Sequence, residues 1–217
     1  MIRFEAVSKH YPGGVQGLSN ISLDIRSGEL IVLRGHSGAG KSTLLKLIPA
    51  LERPSAGRVL LNGQDVGRLP PGAVPYLRRS LGLVMQESRL LFDRTVFDNV
   101  QLPLIIAGLP PKEAAKRTEA ALERVGLREF ARAMPITLSG GEQQRAAIAR
   151  AIVNRPSIVI ADEPTAHLDA DYANEISALF CSFNAAGVTL IVATHDDHLF
   201  ATRAPRRIEL SHGKLLS

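Results

Sequence analysis

The nine residues Gly35-His36-Ser37-Gly38-Ala39-Gly40-Lys41-Ser42-Thr43 follow the spacing G-x-x-x-x-G-K-[ST]. These residue types suit one task, the holding of phosphate. Glycines let the backbone wrap closely round phosphate oxygens with its N–H groups pointing inward, and a helix N-terminus just beyond adds partial positive charge. Lys41 reaches for the β- and γ-phosphates, the Ser42 hydroxyl is suited to ligate Mg2+, and Thr43 is a neighbouring phosphate contact. A second group lies far along the chain, where the apolar run Ser157-Ile158-Val159-Ile160-Ala161 ends in Asp162-Glu163. Asp162 is placed to hold Mg2+, directly or through water, beside Ser42. Glu163, one residue on, is placed to polarise a water that attacks the γ-phosphorus. An acidic pair at a strand end also caps a following helix, but the phosphate loop upstream favours the chemical reading.

Such groups work only if regular elements hold them in place. Residues 29–33 read as a buried strand feeding the loop, and residues 43–48 as the start of a helix that ends between Pro49 and Pro54. Further upstream, residues 2–7 alternate apolar and polar, the mark of a half-buried strand. Tyr11-Pro12-Gly13-Gly14 turns it, and residues 18–25 alternate again, so the opening is expected to be antiparallel. Residues 58–61 form another strand, Asn62-Gly63 is a hairpin signal, and residues 69–72 read as a loop. Residues 81–85 read as a buried strand ending at Gln86. From 89 to about 135 the pattern is helical, with helices at 96–104 and 112–125 broken by Gly108-Leu109-Pro110-Pro111. Beyond the strand at 157–161 come a helix at 171–183 and a β-branched strand at 188–193. Two short strands around Ser211-His212-Gly213 finish the chain. Strands alternating with helices predict an α/β fold with a largely parallel sheet. Residues 1–85 and 157–217 make its core and β subdomain, and residues 87–156 an inserted helical lobe.

The bulk properties bound the rest. A chain of 217 residues buries a sizeable core, and 45% hydrophobic with 22% charged residues is an ordinary soluble balance. No apolar run approaches the roughly 18 residues that span a bilayer, and no apolar segment follows the first five residues as a leader requires. The lone Cys181 cannot form an internal disulfide, so a cytosolic setting is expected. A net charge of +5 suits an anionic membrane surface or nucleic acid, yet solvated helix faces and nucleotide-site residues account for it as readily.

A third motif narrows the reading. Leu138-Ser139-Gly140-Gly141-Glu142-Gln143-Gln144-Arg145 resembles, residue for residue, the signature sequence of ATP-binding cassette ATPases. Its physics repeats that of the first motif, because a serine and two glycines open a helix whose exposed N–H groups and hydroxyl can receive phosphate. The resemblance implies the family's nucleotide-binding fold, a RecA-like core of the phosphate-loop NTPase type with an antiparallel β subdomain and a helical subdomain. It implies ATP and Mg2+ as ligands. It also implies a homodimer formed on ATP binding, in which Ser139, Gly140 and Gly141 of one chain close over the ATP held by the other. By the same resemblance Tyr11 stacks on adenine. Gln86 senses Mg2+ and the attacking water, and His195 contacts the γ-phosphate and orients that water. Asp169 belongs to the loop that crosses the dimer interface. Relatives commonly place Gly-Asn before Leu-Asp in that loop, whereas this chain has Ala166-His167-Leu168-Asp169.

Within the family, residues 1–9, 35–47 and 93–100 resemble the cell-division branch, with His36 and Arg94-Thr95-Val96 the more discriminating parts. That branch implies an integral membrane partner docked on the helical lobe, with Arg89, Leu90, Leu91 and Phe92 as candidate docking residues. It implies a peripheral position on the cytoplasmic face of the inner membrane. The alternative is the ATPase of a lipoprotein-releasing or macrolide-export transporter. Nucleic-acid-directed cassettes carry coiled-coil insertions or tandem cassettes. The chain shows neither, so no nucleic-acid partner is expected.

Overall fold

Successive side chains of the central strands point into two different apolar cores, and that alternation builds the molecule. The computed structural model describes residues 2–166 and 168–216; the side chains of residues 197, 202 and 203 are outside that description, as is His167. The chain opens with β1 (Ile2–His10), β2 (Gln16–Ile25) and β3 (Leu30–Arg34), then α1 (Lys41–Leu47). After β4 (Ala56–Leu61), β5 (Gln64–Asp65), α2 (Val74–Arg79) and β6 (Leu81–Val84) come three helices, α3 (Val96–Ile106), α4 (Pro111–Arg124) and α5 (Gly140–Ile152). The chain then returns through β7 (Ile158–Asp162), α6 (Ala170–Ala185), β8 (Thr189–Ala193), β9 (Arg206–Ser211) and β10 (Lys214–Leu216).

The larger sheet has the order β10-β9-β3-β8-β7-β6, parallel throughout except for the β9–β10 hairpin. Ile31, Leu33, Ile158, Ile160 and Ile191 face one core together with Leu44, Leu45 and Leu47 of α1 and the apolar face of the smaller sheet. Leu30, Val32, Val159, Ala161, Leu190 and Val192 face the other, shared with α3, α4, α5 and α6. Apolar on both sides, these strands read in sequence as continuous runs.

The smaller sheet, β2-β1-β4-β5, is wholly antiparallel, as the alternating opening predicts. Asn62 and Gly63, with φ of 50° and 83°, make the tight turn between β4 and β5, and Leu61 pairs with Gln64 across it. Several boundaries differ from the sequence reading. β1 runs on to His10 through bulges that shift its register after Phe4. β6 stops at Val84, whose partner Ala161 is the last paired residue of β7 on that side, so Gln86 lies beyond the strand. Helix α2 falls just past the loop at residues 69–72, where the sequence reading assigns no element. None of its side chains is fully buried, although Val74 and Leu77 pack on the core, and Pro75 lies in its first turn, where proline starts a helix instead of breaking it.

Candidate functional site

Because the strands run parallel, their C-terminal ends line one edge of the sheet, where ligands bind in open α/β folds. The phosphate loop leaves β3, Glu163 follows β7 and His195 lies just beyond β8. These three strands are adjacent in the order β3-β8-β7. Gln86 leaves the sheet on the same edge: Val84 pairs with Ala161, so Gln86 and Glu163 are each two residues beyond the last pair.

The loop is held open from outside by close backbone contacts. At Gly35, with φ of 144°, a Cβ would stand 2.3 Å from Leu210 O; at Gly40, with φ of 107°, it would stand 2.6 Å from Gly17 O. Only glycine fits either position. Gly38 is also left-handed, Ala39 is buried, and Ser37 is exposed. Ser42 and Thr43 begin α1 and are half-buried. Tyr11 lies across the helix start, its hydroxyl 3.2 Å from Thr43 Oγ1.

Lys41 is 6% exposed and occupies the centre. Its Nζ donates to Gly35 O at 2.7 Å and to His36 O at 3.4 Å, so the loop curls round the ammonium group. Glu163 Oε1 lies 3.7 Å from Nζ, and His195 Nε2 lies 3.4 Å from it. Glu163 has φ of 48°, a costly conformation for a residue with a side chain. Its N–H is tied to Ala193 O at 2.8 Å, and the bend turns its carboxylate toward β8. There Oε1 sits 3.2 Å from His195 Nε2, and Oε2 accepts from His195 N at 3.3 Å.

Asp162, one residue earlier, is 4% exposed, and its Oδ1 has no hydrogen-bond partner among the described residues. A buried carboxylate oxygen left unpaired at a strand end is the kind of ligand Mg2+ takes. No cluster of three or more His, Cys, Asp or Glu side chains among the described residues would hold a metal unaided. Ser42, Asp162 and Gln86 are the donors the chain offers.

The signature residues lie elsewhere. Ser139 is the N-cap of α5, which packs mainly on α3, α4 and β6, whereas α1 packs on β2, β7 and β8. A reciprocal capping box fixes the serine. Glu142 Oε2 accepts from Ser139 N at 2.7 Å and Ser139 Oγ at 2.8 Å, and Ser139 Oγ accepts from Glu142 N at 3.3 Å. The bond from Ser139 N, then that from its hydroxyl, hold the Glu142 carboxyl below its ordinary pKa. Ser139 and Gly140 are exposed. Gly141 is buried, since a Cβ there would meet the Tyr172 ring at 3.0 Å. Asp169 caps α6, accepting from Tyr172 N at 3.0 Å. Tyr172 thus links the heads of α5 and α6. His167 in the same loop falls outside the described residues.

Among the candidate docking residues, Leu90 turns inward and is 4% exposed, while Leu91 and Phe92 are 37% and 51% exposed. Buried Asn99 sets this outcome: its amide donates to Leu91 O, Arg94 O and Thr95 O and accepts from Leu91 N. The sequence carries no signal for that role, nor for the contact of His212 with the phosphate loop.

The chain belongs to the ATP-binding cassette family: its residues 18–166 match the family described as ABC transporter. It is 53% identical to the cell division ATP-binding protein FtsE of Escherichia coli K12, across 99% of this chain and 97% of the relative. It is 42% identical to FtsE of Bacillus subtilis, across 98% and 93%. A dimeric, post-hydrolysis structure of the ATP-binding cassette MJ0796, bound to ADP and Pi, superposes with a TM-score of 0.92 at 35% identity, covering 100% of this chain and 97% of that one. The mixed α/β architecture is thus that of ABC cassettes. Among the described residues no helix is long and apolar enough to cross a membrane.

Proposed function

We propose that the chain is the ATP-hydrolysing subunit of an FtsEX-type complex in cell division. What carries the reading is the meeting of Lys41, Glu163 and His195 at the mouth of a loop with phosphate-holding spacing. Tyr11 stacks on adenine, and the backbone of residues 35–43 receives the phosphates. Lys41 leaves its own carbonyls for the β- and γ-phosphates. Mg2+, when bound, neutralises phosphate charge and draws electron density from the γ-phosphoryl group; Ser42, Asp162 and Gln86 would hold it. Glu163 and His195 orient a water whose oxygen bonds to the γ-phosphorus as the bond to the β–γ bridging oxygen breaks. Its proton passes to Glu163, and ADP and phosphate leave.

Ser139, Gly140 and Gly141 stand on a different set of elements from the phosphate loop. In this reading they complete the electrostatic cradle of a second copy, with Asp169 at the interface. ATP binding closes the homodimer and hydrolysis reopens it. Closure tilts the helical lobe, residues 87–156, and moves an integral, FtsX-like membrane partner docked on it, so that cell-wall hydrolysis is regulated across the inner membrane. Beside the lobe runs a groove of about 370 Å3 with Leu83, Leu102, Pro103 and Ile106 along it and Arg78 and Arg79 at its side. Ile105 and Ile106 are each 55% exposed. An apolar helix of the partner suits that surface. The second reading is a transporter ATPase. It draws on 39% identity to a macrolide export ATP-binding/permease protein, MacB of Paracoccus denitrificans, which aligns with all of this chain over 33% of the relative.

Mixing two inactive chains tests the cross-subunit site. Lys41→Ala and Ser139→Arg each disable both sites of a homodimer, but a heterodimer keeps one intact composite site. Phosphate release that returns on mixing supports the arrangement. Activity that stays absent although heterodimers form rejects independent composite sites. The protein that co-purifies from membranes separates the division reading from the transporter one.

A further inference from the structure

The β9–β10 hairpin touches the phosphate loop at three points that the hydrolysis scheme does not use. Gly213 N donates to Ala39 O at 2.9 Å, and Leu210 O presses against Gly35. Between them the His212 ring packs on that of His36, with centroids 4.8 Å apart and planes tilted by 54°. The hairpin turn is anchored on its far side, where Gly213 O accepts from Ser19 N of β2 at 2.8 Å. His36 in turn is bound into the loop. Its Nδ1–H donates to Ser37 O at 2.7 Å, and its own carbonyl accepts from Lys41. The exposed His212 has φ of 47°, a left-handed turn conformation more usual for asparagine or glycine.

We propose that His212 is a positioning residue for the phosphate loop: its ring braces His36 and holds the backbone of residues 35–40 in its phosphate-receiving shape. The proposal rests on the reading of this loop as the ATP site. A loop ordered before the ligand arrives costs less to bind, and neither ring reaches the Glu163–His195 pair where the water is activated. The effect therefore falls on affinity and leaves the chemical step alone. An aromatic pair of this kind predicts a change of about two- to tenfold.

The test uses the intact chain with His212→Asn, which keeps a residue suited to the left-handed turn but removes the ring, and His212→Phe, which keeps a ring. Half-saturating ATP for hydrolysis should rise about two- to tenfold in His212→Asn with kcat unchanged, and stay near wild type in His212→Phe. Adding His36→Asn to His212→Asn should cost less than His36→Asn costs in the wild-type background, because the ring contact is already gone. Amide hydrogen exchange of residues 35–43 without nucleotide should quicken in His212→Asn, a readout that needs no hydrolysis. Unchanged exchange and unchanged half-saturation in His212→Asn overturn the brace while wild-type turnover leaves the ATP reading standing. A His212→Phe that behaves like His212→Asn overturns it equally. A wild type without turnover removes the ATP reading instead, and the exchange result then judges the brace alone.

Discussion

Glu163 holds His195 through one carboxylate oxygen, Oε2 accepting from the backbone N–H at 3.3 Å, while Oε1 lies 3.2 Å from the ring Nε2 without a hydrogen bond. Lys41 Nζ crowds the same ring nitrogen at 3.4 Å. A neutral imidazole has one N–H. Lys41 has only donors to offer, so Nε2 accepts from it and the ring hydrogen sits on Nδ1. Phosphate drawing Lys41 outward would free Nε2, with the unpartnered Glu163 Oε1 3.2 Å away to receive its hydrogen. Glu163→Gln should then still bind ATP while hydrolysis falls by about a hundredfold or more, since an amide is a poor base. Phosphate release at saturating ATP, beside size-exclusion for accumulated closed dimers, checks it. Wild-type turnover in this variant would take Glu163 out of the scheme.

Tyr11 is braced before any base arrives. Its hydroxyl meets Thr43 Oγ1 at 3.2 Å, Lys9 Nζ sits 5.0 Å from the ring centroid, and a Cβ on Gly17 would lie 2.8 Å from the ring. A ring fixed in this way offers a flat surface. Tyr11→Ala should weaken nucleotide binding by about 1–3 kcal/mol, and Tyr11→Phe by much less. Stacking does not read base edges, so ATP and GTP should weaken alike in competition binding. A loss confined to ATP would mean that Tyr11 recognises adenine by some other contact.

How far the sequence revealed this site follows from where each residue sits. Asp162, Glu163 and His195 stand at or just past the ends of apolar strands, Lys41 opens the helix that follows β3, and a parallel sheet carries all such ends to one edge, so motif, family resemblance and strand reading together locate them. Ser139 was legible as a cap because its partner Glu142 is three residues away. His212 was not, because its contact with His36 spans most of the chain and depends on β9 lying next to β3. Leu90 misled for a related reason. Exposure in an irregular loop depends on who holds the backbone, and here buried Asn99 does so with four hydrogen bonds. Helix α2 left no trace because its six residues offer the core only Val74 and Leu77, too short a repeat to show a helical period.

The capping box at Ser139 has a pH signature. The Glu142 carboxyl is held below its ordinary value of 4.5, first by the Ser139 N–H and then by its hydroxyl. A depressed folded pKa stabilises the fold above the unfolded value, and that contribution is lost as pH falls through the lower folded one. Glu142→Gln should therefore lower the unfolding midpoint at neutral pH, and the gap from wild type should close as pH drops below 4.5. Chemical denaturation at a series of pH values measures it. A gap that is constant across the series would assign the loss to packing at the helix start and not to the ionised carboxylate.

Arg150 ties the signature helix to the loop that begins at Gln86. Near the end of α5, its Nη1 donates to Arg89 O at 2.8 Å and its Nη2 to Ser88 O at 2.6 Å. Burial lowers the guanidinium pKa, and the two carbonyls meet the charge that burial strips of water. Arg89 itself has φ of 46°, which strains the segment they pin. Arg150→Met keeps the stem's packing but leaves two carbonyls unmet, and should cost about 1.5–3 kcal/mol in unfolding. Arg150→Lys should recover only part of this, because a single ammonium does not reproduce the planar fork. Amide exchange across residues 88–91 should quicken in both variants, more in the methionine. If stability falls while exchange there is unchanged, Arg150 supports α5 alone and does not set the course of the chain after Gln86. If both move together, the path from Gln86 to the exposed Leu91 and Phe92 is mechanically continuous with α5, the helix that carries Ser139 at its other end.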